Sequence, residues 1–160
     1  MTDFDGCPGS KMQDFRKKDG KEGEITGKIK SQLRQWPIQM QLISPTAPYY
    51  ECADVLLTAD CVAYTMGGFH PDFLKGKSIG IACPKLDDGQ ESGLYEEKIK
   101  SWIEDAKINT LTVMIMQVPC CMGLVSLVQQ ILQKSSRKIP VKSIIVSLEG
   151  EILQEEWIST

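Results

Sequence analysis

The chain has 160 residues, 42% of them hydrophobic and 24% charged, with a net charge of −3. That length suits one domain with a full core. The mixed, slightly acidic composition excludes a nucleic-acid face, because the one basic stretch, Arg16 to Lys18, is short and answered by nearby acids.

The first segment, residues 1–30, is polar and rich in Gly and Lys, and reads as a mobile or loosely docked arm. It lacks the apolar stretch of a secretory leader. No apolar run in the chain approaches the ~18–20 residues that cross a bilayer. A soluble cytoplasmic protein is therefore expected, with residues 31–160 as a single α/β domain. Five short apolar runs then read as strands: WPIQMQLI (36–43), ADVLLTADC (53–61), GKSIGIAC (76–83), INTLTVMIM (108–116) and VKSIIVSLE (141–149). Each is rich in Val, Ile or Leu, or bounded by turn residues, and continuous runs suit strands covered on both faces. Helical periodicity lies between them, over SGLYEEKIKSWIEDAK (92–107) and CMGLVSLVQQILQKSS (121–136). Ser92 is the expected N-cap of the first of these. A shorter helix is expected over HPDFLKG (70–76), with Pro71 in its first turn. The tail EILQEEWIST reads as an edge strand. Strands alternating with helices predict an α/β three-layer sandwich. Its sheet has four to five mostly parallel strands, in the Rossmann-like or flavodoxin-like manner.

The cysteines gain meaning from that pattern. Cys61, Cys83 and the pair Cys120–Cys121 each follow a predicted strand. In a parallel sheet those ends share the carboxyl edge, where such folds bind ligands. If the strands are neighbours, ~4.8 Å apart, their thiols can share one site. In a reducing compartment, six cysteines point to metal or redox chemistry before a disulfide framework. Four thiolates can complete a zinc site or ligate a 4Fe–4S cluster. The helix beginning at Cys121 favours a thiolate or an anionic cluster at its N-terminus. Cys7 on the arm and His70, the single histidine, are candidates for extra ligands. Lys85 can offset the charge of the site, and Asp87 and Asp88 read as caps of the following helix. Cys52 reads as core filler. Nucleotide binding has no support, since neither G-x-G-x-x-G nor a Walker A sequence is present.

The strings SQLRQWPIQMQLISPTAPYYECADVLLTADCVAY, FHPDFLKGKSIGIACPKLDD and MQVPCCMGLV resemble the C-terminal region of anaerobe 4Fe–4S ferredoxin-like, iron–sulfur cluster-binding oxidoreductases. GCPGSKMQDFR resembles the piece joining that region to the rest. The N-terminal dicluster ferredoxin module of the family, with its C-x-x-C-x-x-C-x-x-x-C-P runs, has no counterpart in this sequence. The resemblance supports Cys7, Cys61, Cys83, Cys120 and Cys121 as motif cysteines.

The expectation is a redox, electron-transfer protein that holds an iron–sulfur cluster, or zinc, through Cys61, Cys83, Cys120 and Cys121. A redox protein such as a ferredoxin is the expected partner, with neither nucleic acid nor membrane, and self-association is left open. The alternatives are a thiol-based oxidoreductase using Cys120 or Cys121, and a structural zinc-binding interaction module.

Overall fold

A computed structural model describes residues 8–16, 27–87 and 93–158. The elements in chain order are β1 (Gln13–Asp14), β2 (Gln35–Trp36), β3 (Asp54–Ala59), α1 (Val62–Thr65), β4 (Ser78–Ala82), α2 (Leu94–Glu104), β5 (Thr110–Met116), α3 (Pro119–Lys134), β6 (Val141–Val146) and β7 (Ile152–Ile158). The main sheet has five strands in the order β4-β3-β5-β6-β7. The first four run parallel, and β7 closes one edge antiparallel to β6. The expected α/β architecture is therefore the one found.

Register explains how the sheet is covered. Leu57 pairs with Gly80 and with Val113, so these residues share a face. The indole of Trp102 from α2 lies over Gly80 on that face. Leu56 and Thr112 share the opposite face, where Phe73 of the β3–β4 connection borders a groove with Thr112 and Ile144. Apolar side chains thus fill both sides of the strands, as continuous apolar runs require. Trp102, Leu57 and Val113 are all fully buried.

Gly80 is a close approach of strand to helix. A Cβ there would stand 2.7 Å from the Trp102 ring and 2.9 Å from the Met40 sulfur. We expect Gly80→Val to lower stability by about 1–3 kcal/mol through overpacking, read as a lower urea midpoint with an unchanged slope.

Some local expectations do not hold. The run 36–43 is not a strand. Pro37 lacks the N–H a ladder needs, only Gln39 bridges to Ile81, and a turn follows in which Leu42 and Ile43 both donate to the Gln39 carbonyl. Its place beside β4 is taken by the buried amide of Gln35. That side chain accepts from the Ile79 N–H at 2.8 Å and donates to the Ile79 carbonyl at 2.6 Å and to Tyr50 Oη at 2.7 Å. The arm is docked where it is described: β1 pairs with β2, and Trp36 Nε1 donates to the Gly9 carbonyl at 2.6 Å. The first long helix begins at Leu94 after Gly93, whose φ of 72° suits glycine, with no side-chain cap. Ser92 lies outside the described residues. The short helix is a single π turn, His70–Leu74, and the tail strand is present as β7.

Candidate functional site

The sheet order brings β4, β3 and β5 side by side. Cys83, Cys61 and Cys120–Cys121 follow these three strands in turn, so the convergence expected of their carboxyl ends has its structural basis. The thiols do not share one environment. Cys61 is exposed at the start of α1, where its carbonyl accepts from Thr65. Cys120 is exposed in the first turn of α3, and Cys121 beside it is buried. Burial pushes the Cys121 thiol up, and its neighbours Cys120 and Cys61 add to that effect. Cys61 and the pair Cys120–Cys121 thus follow the ends of adjacent strands, β3 and β5.

Cys83 lies in the turn after β4. Its carbonyl accepts from the Asp87 N–H at 2.9 Å, and its own N–H donates to Asp87 Oδ2 at 3.4 Å. Asp87 also accepts from the hydroxyl of Tyr95. It therefore ties the turn to α2 and does not cap that helix, while Asp88 lies outside the described residues. Beside Cys120 is a shallow open depression lined by Pro84, Lys85, Val118 and Pro119. Lys85 supplies a positive charge to its rim.

Thiolates have the right softness for zinc or an iron–sulfur cluster. Their placement does not fit one: among the described residues, no three of His, Cys, Asp and Glu are grouped so as to hold a metal ion. Cys7 lies outside the described residues. His70 begins the π turn in the connection from β3 to β4, and its Nδ1 accepts the Gln32 N–H at 3.0 Å. One ring nitrogen is thereby committed to backbone.

Cys52 is not core filler. It is exposed in a turn at φ 50°, fixed by a bond from its N–H to the Ala106 carbonyl and by Asn109 Nδ2 donating to its own carbonyl. The turn's left-handed backbone leaves the side chain outside the core.

Sequence reasoning missed Asp60. Its Oδ1 is buried and has no hydrogen-bond partner among the described residues. Burial, with Asp87 nearby, pushes its carboxyl up. The available signal was a charged residue closing the apolar strand LLTAD immediately before Cys61.

The sequence signature of the Rossmann-like domain family matches residues 47–159. A protein of Archaeoglobus fulgidus, described only as uncharacterized, is 27% identical over 123 residues, covering 76% of this chain and 83% of its own length. No solved structure matches. No helix among the described residues is long and apolar enough to cross a membrane.

Proposed function

Because this chain belongs to the Rossmann-like domain family, we propose that it uses the carboxyl edge of its sheet for thiol-based redox chemistry, exchanging electrons with a disulfide-bearing partner. The observation that carries this reading is the pair in the first turn of α3, at the carboxyl end of β5, where Cys120 is exposed and Cys121 beside it is buried. Cys120 is the entry thiol, since it faces solvent at the depression where a partner's sulfur can approach. As a thiolate it attacks one sulfur of the partner disulfide and forms a mixed disulfide. The other partner sulfur leaves as a thiolate and takes a proton from solvent. A second thiol of the chain then displaces the partner. Two thiols of this chain thus lose two electrons and two protons, and the partner disulfide gains them.

The test is to incubate the reduced chain with oxidised glutathione, quench with acid, alkylate, and map adducts by mass spectrometry. The glutathione adduct is expected on Cys120, at least about tenfold ahead of Cys121, which must open locally to react. Adducts no faster at Cys120 than at exposed Cys52 would overturn the reading.

A second reading has one observation behind it. Cys61, Cys83, Cys120 and Cys121 follow three adjacent strands, as a soft-metal or iron–sulfur site and the family resemblance would require. It needs these side chains to move from their present positions. Iron with labile sulfide, or stoichiometric zinc, in anaerobically purified protein would favour it.

A further inference from the structure

We propose that the disulfide exchanged at this edge is a small one carrying carboxylates, and that Lys85 selects it by charge. The inference rests on the thiol–disulfide reading above and names the substrate class of the same site.

The fold brings Lys85 and Cys120 to one depression. β4 leads into α2 and β5 into α3, and these two helices pack against each other. The turns that precede them border the same space, with Pro84 and Lys85 from one and Val118, Pro119 and Cys120 from the other. Its volume is about 760 Å³, in the range of small-molecule sites. Five lining residues are far fewer than the ~20–30 a side of a stable protein interface. Pro84, Val118 and Pro119 give it apolar walls, and Lys85 is the one charged residue that lines it among the described residues.

Positive potential reaches this space from two sources. The first is Lys85, which is exposed. The ion pairs among the described residues join Arg16 to Asp14, Lys134 to Glu96 and Lys142 to Glu155, and none takes Lys85. Asp87, two residues on, is engaged elsewhere, accepting from the Cys83 N–H and from the Tyr95 hydroxyl. The second source is the amino end of α3, a helix of 16 residues with neither an acid in its first turn nor a side-chain cap. Such an end carries about half a positive charge. Cys120 lies in that first turn, so carboxylates beside an attacked sulfur meet attraction from both sources, and ammonium groups there meet repulsion.

The step itself balances. The Cys120 thiolate attacks one sulfur of the small disulfide. The Cys120–sulfur bond forms, the sulfur–sulfur bond breaks, and the released half leaves as a thiolate that takes a proton from solvent. Lys85 exchanges no bond. It raises the local concentration of the anionic reactant.

The experiment compares the full-length reduced chain with Lys85→Glu and Lys85→Arg at low ionic strength. Each is reacted with oxidised glutathione (anionic), bis(2-hydroxyethyl) disulfide (neutral) and cystamine (cationic), and the initial rate of adduct formation on Cys120 is read by mass spectrometry after acid quench. The neutral reagent corrects for any change in the Cys120 thiolate itself, which would alter all three rates alike. In Lys85→Glu the ratio of the glutathione rate to the cystamine rate should fall at least about tenfold, and in Lys85→Arg it should stay within about twofold of the parent. At ~1 M salt, where charges are screened beyond ~3 Å, the difference between parent and Lys85→Glu should largely vanish. A ratio unmoved in Lys85→Glu, with Cys120 still reacting, would overturn this inference and leave the exchange reading standing. Absence of a Cys120 adduct with all three reagents in the parent chain would overturn the exchange reading, and this inference with it. Circular dichroism of each variant should match the parent, since Lys85 is exposed.

Discussion

Cys120→Ser should abolish disulfide exchange and leave the fold as it is. The residue is exposed, so its stability cost falls within about 0.5 kcal/mol. A serine hydroxyl is no nucleophile toward a disulfide at neutral pH, because attack requires a thiolate. Cys121 does not replace it, being buried, with burial pushing its thiol up and away from the thiolate that attack requires. We expect the exchange rate with oxidised glutathione to fall by about a hundredfold or more, a loss of ~2.7 kcal/mol or more of transition-state stabilisation. The assay is initial-rate release of reduced glutathione, with thermal unfolding run alongside. Cys52→Ser should leave both readings unchanged, because that residue sits in a turn with no role at the site. A Cys120→Ser protein that exchanges at the parent rate would assign the entry thiol elsewhere.

The second large effect concerns the edge of the sheet. Gln35→Ala removes an amide that is 0% exposed and that holds both backbone groups of Ile79. Tyr50 Oη still donates to the Ile79 carbonyl at 2.8 Å. The Ile79 N–H, however, loses its Gln35 acceptor. An unsatisfied buried donor costs about 1–3 kcal/mol, and the emptied volume adds to that. We expect a total loss of about 3 kcal/mol, with earlier exposure of Trp36, since β2 would no longer be fastened to β4. Urea unfolding followed by tryptophan fluorescence checks both. A loss under about 0.5 kcal/mol would mean that backbone packing alone holds this edge.

The contrast between Gln35 and the strands shows what the sequence made legible. VLLTA, SIGIA and TLTVMIM read as strands because they are buried on both faces, and their apolar runs say so directly. WPIQMQLI carries a similar density of apolar residues, yet the ladder is interrupted at Pro37 and a polar side chain completes the edge. Composition cannot distinguish an amide that faces water from one that closes a sheet. Strand order was likewise hidden. The alternation of strands and helices implied a shared carboxyl edge, but only the pairing of β3 with both β4 and β5 brings the cysteine-bearing ends together. The distinction between Cys120 and Cys121 was out of reach, because adjacent residues in a helix turn point about 100° apart and burial decides which one meets solvent. Asp60 was missed for a related reason. Its significance lies in a buried oxygen and in Asp87 on the next strand end, not in any motif. Cys52 shows the opposite error, where the general tendency of cysteine to be buried gave way to a turn with positive φ.

The central claim is that this carboxyl edge works as a reversible thiol couple. The most direct test is an equilibrium titration of anaerobically purified full-length protein in glutathione buffers of stepped potential, with metal content measured on the same sample. The account predicts a single reversible transition of two electrons that is lost in Cys120→Ser. Thiols that stay reduced across the whole series would contradict it. So would stoichiometric iron and labile sulfide with a broad absorption band near ~400 nm, which would assign these cysteines to a cluster instead.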